Sequence, residues 1–252
     1  MSPAAERIWF VLPTYNEKDN IRPITEAILG AVPDAHILVV DDNSPDGTGE
    51  IADALAAEQP NIAVLHRQAK QGLGRAYVDG FCNASARGAD VIVQMDADFS
   101  HPVRFLQSML DPIREGRADL VLGSRYVKGG AVPRWSPVRR VISLGGGIFS
   151  RVVLRLPYRD LTGGFKAWRA DVLQSVDLDA VHAGGYAFQI ETTFRAYRLG
   201  ARIVEVPITF EERREGTSKM SKAIFFEAFK VVVALRWAAT RGQVPVVKPS
   251  HL

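Results

Sequence analysis

Three short polar clusters carry most of the side chains in this chain that could do chemistry: PTYNE (13–17), DDNSPDG (41–47) and DAD (96–98). Asp96 and Asp98 alternate at the end of an apolar run. Two carboxylates so placed repel each other unless a cation or hydrogen-bond donors compensate. Carboxylate oxygens are hard ligands that suit Mg²⁺ or Mn²⁺, and Mg²⁺ commonly takes one or two carboxylates plus substrate phosphates. A metal–diphosphate site is therefore the chemistry these residues suggest. Each cluster also has an ordinary reading, since Asp, Asn, Ser, Pro and Gly favour tight turns and Asp96 could cap a helix. Three clusters together make the ordinary reading the weaker one.

A second feature is electrostatic. Residues 120–159 contain no Asp or Glu, yet carry Arg125, Lys128, Arg134, Arg139, Arg140, Arg151, Arg155 and Arg159. The whole chain is only +3, so the remainder is net negative. A basic segment on an acidic body points to an anionic partner, and charge alone leaves nucleic acid, lipid phosphate and phosphorylated metabolites open. Without an acid in that stretch, Arg125 and Arg139 read as cations held for a ligand rather than as half of a solvated ion pair.

Other nucleotide and catalytic motifs fail. GLGRAY (72–77) has two glycines of a dinucleotide fingerprint but Tyr77 where the third belongs, and no P-loop sequence occurs. His36, His66, His101, His182 and His251 lack metal-ligand spacing, and no G-x-S-x-G elbow is present.

Elements must position these residues. Apolar runs at 7–12, 36–40, 61–65, 90–95 and 118–122 read as buried strands. Helical periodicity falls between them, over 21–31, 49–57, 73–87 and 102–114. That alternation predicts an α/β fold with a mainly parallel sheet covered on both faces. In such sheets ligands collect beyond the carboxyl ends of the strands, where the three clusters lie. Residues 123–147 break the rhythm and lead to an apolar-basic helix at 148–156; a helix at 186–199, a strand at 202–208 and a final helix at 221–240 follow.

Composition bounds the rest. With 252 residues and 47% hydrophobic side chains, the chain can fill a core and is not disordered. Cys82 stands alone, so no disulfide framework exists and a reducing compartment is expected. The start lacks the pattern of a signal peptide, and no apolar run of about 18 residues or more predicts a membrane span.

PTYNE (13–17), VVDDNSPDGT (39–48), GLGRAY (72–77), MDADFSHP (95–102), GSRYVKGG (123–130), DLTGGF (160–165) and RREGTSKMS (213–221) occur in order. In this the chain resembles family 2 glycosyltransferases of the GT-A (Rossmann-like) fold, and within them the polyprenol-phosphate mannosyltransferases. The resemblance implies a catalytic domain over residues 1–220, with an acceptor region at about 123–160, and a C-terminal amphipathic helix and tail over 221–252. It implies that Pro13, Tyr15, Glu17, Val40 and Asp42 line a guanosine pocket. Asp96, Ala97 and Asp98 would hold ribose, diphosphate and Mg²⁺ or Mn²⁺, with Ser100 adding a metal oxygen. Arg125 and Arg139, helped by Ser143, would bind the acceptor phosphate, and Arg213 and Lys219 the donor diphosphate. Asp98, Arg125, Arg139 and Lys219 form the expected catalytic set.

The implied donor is GDP-mannose and the acceptor a polyprenyl phosphate, with no nucleic acid involved. The rivals are a UDP-glucose-dependent enzyme on the same acceptor, a transferase acting on a sugar hydroxyl with Glu191 as base, and a sugar-nucleotide-binding subunit without turnover. A phosphate monoester is largely dianionic at neutral pH, so its oxygen needs no general base, and Glu191 and Asp160 stay off the catalytic set. The final helix is apolar but interrupted by Glu227, Lys230 and Arg236, which suits an interfacial helix with snorkelling cations better than a spanning one. The expected location is the cytoplasmic face of a membrane, reached peripherally or through a separate membrane protein.

Overall fold

The computed structural model describes residues 6–181, 185–211 and 222–245. The chain runs β1 (Ile8–Thr14), α1 (Lys18–Ala31), β2 (His36–Asp41), α2 (Thr48–Glu58), β3 (Ile62–His66), α3 (Leu73–Ala86), β4 (Val91–Gln94), a short turn of 3-10 helix (Val103–Phe105) and α4 (Leu106–Arg114). It continues through β5 (Leu120–Ser124), α5 (Pro137–Leu154), β6 (Lys166–Arg169), α6 (Ala170–Ser175), α7 (Gly185–Arg198), β7 (Ile203–Pro207) and α8 (Lys222–Thr240).

The described strands form one seven-stranded sheet in the order β3-β2-β1-β4-β6-β5-β7. All pairings are parallel except those of β6, which runs antiparallel to β4 and β5. From β1 the chain steps outward to β2 and β3, then returns to place β4 on the other side of β1. That reversal opens a crevice beyond the carboxyl ends of β1 and β4, the usual ligand position in such sheets.

Alternation along each strand feeds two cores. Phe10, Leu12, Ile37, Val39 and Val93 pack under α1, α2 and α4. Trp9, Val11, Leu38, Val40 and Ile92 face Tyr77, Phe81 and Phe188 on α3 and α7. Strands buried on both faces account for the continuous apolar runs in the sequence. A third cluster joins Leu154 and Leu156 to Ile190 and Phe194 of α7 and to Val232, Leu235 and Ala239 of α8.

One element escaped the sequence reading and one expectation is corrected. The strand KAWR (166–169) had no sequence signal, because four residues with a charge at each end show no usable alternation. The helix expected at 148–156 begins much earlier. Ser136 caps it by accepting from the Arg139 amide at 3.3 Å, and Pro137 supplies the first-turn geometry. Three consecutive glycines, 145–147, disguised it as a loop.

Candidate active site

The loops after β1, β2 and β4 meet at one sheet edge, and each holds a non-glycine residue in the left-handed region: Asn16 (φ 62°), Asn43 (φ 55°) and Phe99 (φ 62°). A bulky aromatic seldom takes this conformation, and such strain persists only where the surroundings impose it. Phe99 is anchored by packing on the first core.

The first two loops are clipped together. Asp41 accepts from the Thr14 hydroxyl (3.0 Å), the Ser44 hydroxyl (2.6 Å) and the Ser44 amide (3.0 Å). The Asn16 amide donates to Ser44 Oγ (3.1 Å), and the Glu17 amide to Thr48 Oγ1 (2.9 Å). Asp46 accepts from the Thr48 hydroxyl (2.6 Å) and from the Lys18 and Thr48 amides. Burial pushes its carboxyl up, but these hydrogen bonds outweigh burial and hold it below the ordinary value.

The residues expected around a base are close in space but unequal in exposure. Pro13 and Val40 are register partners at the ends of β1 and β2. Val40 is wholly buried in the second core, so its side chain does not line the crevice as expected; its carbonyl accepts from Thr14 Oγ1 (3.4 Å). Tyr15 lies 3.6 Å under the Lys70 ammonium, and Glu17 accepts from Asn20 Nδ2 (2.8 Å). Asp42 is buried against Arg67, which also binds Asp79 (2.8 Å). Burial raises the Asp42 pKa, and Arg67 and Lys70 pull it only partly back. The sequence reading missed Arg67, because its partners lie 12 and 25 residues away.

The acidic pair follows β4. Asp98 is buried and accepts from the Ser100 amide (3.0 Å). Asp96 accepts from the Tyr77 hydroxyl (3.0 Å), while its amide donates to His101 Nδ1 (3.0 Å). That bond makes Nδ1 the acceptor, and burial lowers the His101 pKa, so the ring is neutral. Burial, then the Asp96 charge, raises the Tyr77 phenol well above its ordinary range. The Ala97 side chain belongs to the first core, so only its backbone can meet a ligand.

A hard divalent cation fits here. Asp96, Asp98 and Ser100 offer only oxygen, and Ser100 Oγ is buried with no hydrogen-bond partner among the described residues. No group of three or more His, Cys, Asp and Glu side chains gathers for a metal among those residues, so the diphosphate would have to complete the shell.

The opposite wall is basic and aromatic. Because β6 is antiparallel, it enters the sheet at the site edge and brings 160–165 there. A Cβ built on Gly164 would meet Asp96 Oδ1 at 3.9 Å. Arg125, just past β5, is buried and clamped by Asp160 through Nε (2.7 Å), an NH₂ group (2.7 Å) and its amide (2.9 Å). It also donates to Thr162 Oγ1 (2.8 Å). This corrects the reading of Arg125 as an unpaired cation, since its counter-ion lies one residue beyond the acid-free stretch. Burial pushes the Asp160 carboxyl up, but the Arg125 charge and hydrogen bonds hold it below the ordinary value.

Arg139 lies 4.1 Å from the Trp135 ring centroid and Arg125 5.3 Å from it. Arg139 Nε and Trp135 Nε1 are both buried without a hydrogen-bond partner among the described residues. Ser143 accepts from the Tyr126 hydroxyl (2.7 Å), which ties α5 to the segment after β5. Rings connect the two walls: His101 to Phe210 (5.7 Å), and Phe210 to Trp135 (5.5 Å). Gly130 fits only as glycine, because a Cβ there would come within 2.6 Å of the Ser124 carbonyl. Glu191 is buried and paired with Arg195 (2.7 Å), in keeping with its place outside the catalytic set. Arg213 and Lys219 lie outside the described residues.

Beside this wall α5 exposes Val138, Val141, Ile142, Leu144, Ile148 and Val152, and α8 exposes Phe229, Val233 and Trp237. Arg140, Arg151, Arg155 and Lys230 are exposed on the same two helices or at their ends. No helix among the described residues is long and apolar enough to cross a membrane.

A parallel sheet with a single antiparallel insertion and an acidic pair at its switch point is the GT-A arrangement, and the chain belongs to glycosyl transferase family 2, whose profile matches residues 9–177. It is 48% identical to the undecaprenyl-phosphate mannosyltransferase of Micrococcus luteus, over 94% of this chain and 98% of that protein. It is also 48% identical to the polyprenol monophosphomannose synthase of Mycolicibacterium smegmatis, over 90% of this chain and 86% of that one. Among solved structures it is similar to glucosyl-3-phosphoglycerate synthase from Mycobacterium tuberculosis with Mn²⁺, UDP and glucosyl-3-phosphoglycerate. The TM-score is 0.64 at 20% identity, covering 98% of this chain and 82% of that one. The same enzyme with phosphoglyceric acid gives a TM-score of 0.66 at 22% identity, covering 92% and 80%. The expected fold and family are therefore borne out.

Proposed function

We propose that this glycosyltransferase moves mannose from GDP-mannose to a polyprenyl monophosphate, with inversion, at a membrane surface. The observation that carries the reading is a juxtaposition. An acidic crevice suited to a cation and diphosphate faces Arg139 and Trp135, whose Nε and Nε1 donors have no acceptor among the described residues, beside a helix that exposes aliphatic side chains. One wall suits a nucleotide-sugar, the other a phosphate with a hydrocarbon tail. The names of the two bacterial relatives support the same donor sugar and acceptor class.

Asp42, with the loop that Asp41 shapes, faces the base, and Asp96, Asp98 and Ser100 hold the cation. Bound there, Mg²⁺ or Mn²⁺ supplies charge neutralisation for the departing diphosphate. Arg139 receives the acceptor phosphate and Arg125, fixed by Asp160, shapes its seat. A phosphate oxygen attacks the anomeric carbon as the bond to the GDP β-phosphate breaks; the attacking oxygen carries no proton, so no base is required. Direct displacement converts an α-linked donor to a β-linked lipid phosphate. Arg213 and Lys219 complete the diphosphate site on motif grounds. The exposed faces of α5 and α8 rest at the bilayer interface with their cations toward lipid phosphate.

The test is transfer of labelled mannose from GDP-mannose to polyprenyl phosphate with Mg²⁺, Mn²⁺ or EDTA, with UDP-glucose as rival donor and Asp98→Ala as control. Metal-dependent mannolipid from the wild type alone is expected. Equal or better transfer from UDP-glucose would overturn the donor assignment.

A further inference from the structure

The motif GLGRAY (72–77) has no part in the transfer as described, yet its last residue reaches the acidic pair. Gly72 (φ 98°) turns the chain into α3, and Gly80 lets that helix press onto the sheet, since a Cβ there would come within 2.4 Å of Val11 Cγ1. Tyr77 therefore lies deep in the second core, wholly buried, with its ring stacked at 5.6 Å from Phe81 and 5.9 Å from Phe188. A buried phenol needs a hydrogen-bond partner, and this one donates to Asp96 Oδ1 at 3.0 Å.

We propose that Tyr77 is a positioning residue for the cation and diphosphate site: its hydroxyl fixes the orientation of the Asp96 carboxylate before the ligand arrives. The inference rests on the reading of Asp96 and Asp98 as cation ligands. A carboxylate at a strand end can turn about two side-chain torsions, and its neighbour Asp98 repels it. A donor on a ring that cannot swing selects one orientation, while His101 holds the Asp96 amide and so fixes the backbone. Partners of this kind, which touch the ligand residue and not the ion, commonly change metal affinity about tenfold or more when removed. The spacing of GLGRAY from DAD has the same explanation: α3 must start and pack so that its sixth motif residue lies against β4's exit.

Tyr77→Phe removes the hydroxyl and keeps the ring, so it separates the hydroxyl's hydrogen bonding from the packing of the ring. Mn²⁺ binding in the presence of GDP, read by electron paramagnetic resonance, should weaken about tenfold in this variant while its melting temperature stays near the wild type's. At saturating Mn²⁺ its kcat should return to within about twofold of wild type, because Tyr77 orients a ligand and touches no reacting atom. Phe81→Leu, in the same ring cluster but without a bond to Asp96, should lower the melting temperature and leave Mn²⁺ binding unchanged. Wild-type Mn²⁺ affinity in Tyr77→Phe, or an equal loss in Phe81→Leu, overturns the role. Asp98→Asn separates the two levels. If it too binds Mn²⁺ normally, the cation site falls and the Tyr77 role with it; if it alone loses binding, only the Tyr77 role falls.

Discussion

The two walls of the crevice solve opposite electrostatic problems. On the β1–β2–β4 side, Asp41, Asp46 and Asp98 accept from neutral donors, amides and hydroxyls of Ser44, Thr14, Thr48 and Ser100, while Asp42 is paired with Arg67. On the β5–α5 side the cations are arginines, held by one buried counter-ion and by aromatic faces. On the proposed reading the first wall takes a cation and the second an oxyanion: Arg139, stacked on Trp135, presents its guanidinium edge, whereas Arg125 spends its N–H groups on Asp160 and Thr162. Each wall is also tied to its own surroundings, the first to the rigid sheet and the second to a helix with an exposed apolar face.

The largest expected effect tests the first wall alone. Asp98→Asn should lower mannose transfer by about a thousandfold and leave melting little changed, since such charge-stabilising groups are commonly worth two to three orders of magnitude. A loss below tenfold would mean that the acidic pair is not the centre of the chemistry.

The second wall should fail differently, through stability first. Asp160→Ala strands a buried guanidinium, and breaking such a pair costs about 3–5 kcal/mol, read as a fall of roughly 10 °C in the melting temperature. Arg139→Ala, by contrast, should melt like the wild type while KM for polyprenyl phosphate rises about tenfold, the worth of one charge-assisted contact. Reversed phenotypes would exchange the anchoring and binding roles of the two arginines.

Between the walls stands β6, whose Lys166 is wholly buried and donates to the Gln189 carbonyl (2.8 Å) and Thr193 Oγ1 (2.9 Å). Burial lowers its pKa to about 7. The unfolded chain keeps this proton up to the ordinary lysine value near 10.4, so between the two pKa values the unfolded state binds more protons and stability rises with pH. Below pH 7 the cost of burying the charge is fully present. The stability gain of Lys166→Met should therefore be larger at pH 6 than at pH 9, by about 2 kcal/mol in urea unfolding. A pH-independent difference would show that Lys166 keeps its proton in the fold.

The smallest effect concerns the outer face of α5. Val141→Asp with Val152→Asp should weaken sedimentation with anionic vesicles roughly tenfold while leaving melting and turnover of a short-chain, water-soluble acceptor unchanged. Unchanged vesicle binding would remove α5 from the membrane contact.

Much of the first wall was legible in the sequence because its chemistry is local. Each loop is one contiguous motif at the end of one apolar strand, and adjacency of β2, β1 and β4 in a parallel sheet brings them together. The second wall was less legible because its key facts are pairings across distance. Arg125 finds Asp160 35 residues on, outside the acid-free stretch that seemed to leave it alone. KAWR becomes a strand only because β4 and β5 present edges to it. Tyr77 and Arg67 were passed over for a related reason: a tyrosine on an apolar helix face and an arginine after a strand declare no partner until the sheet is folded.

The Arg125–Asp160 pair has a consequence for how this architecture can diversify. The segment between them leaves the sheet and returns to nearly the same point, closed at its base by one ion pair and packed outward through α5. On the proposed reading it is the acceptor part of the crevice, while the loops after β1, β2 and β4 form the donor part. Exchanging residues 126–159 for those of a relative, with Arg125 and Asp160 retained, should transplant acceptor preference while leaving donor preference with the host, so that the two specificities can evolve or be engineered separately.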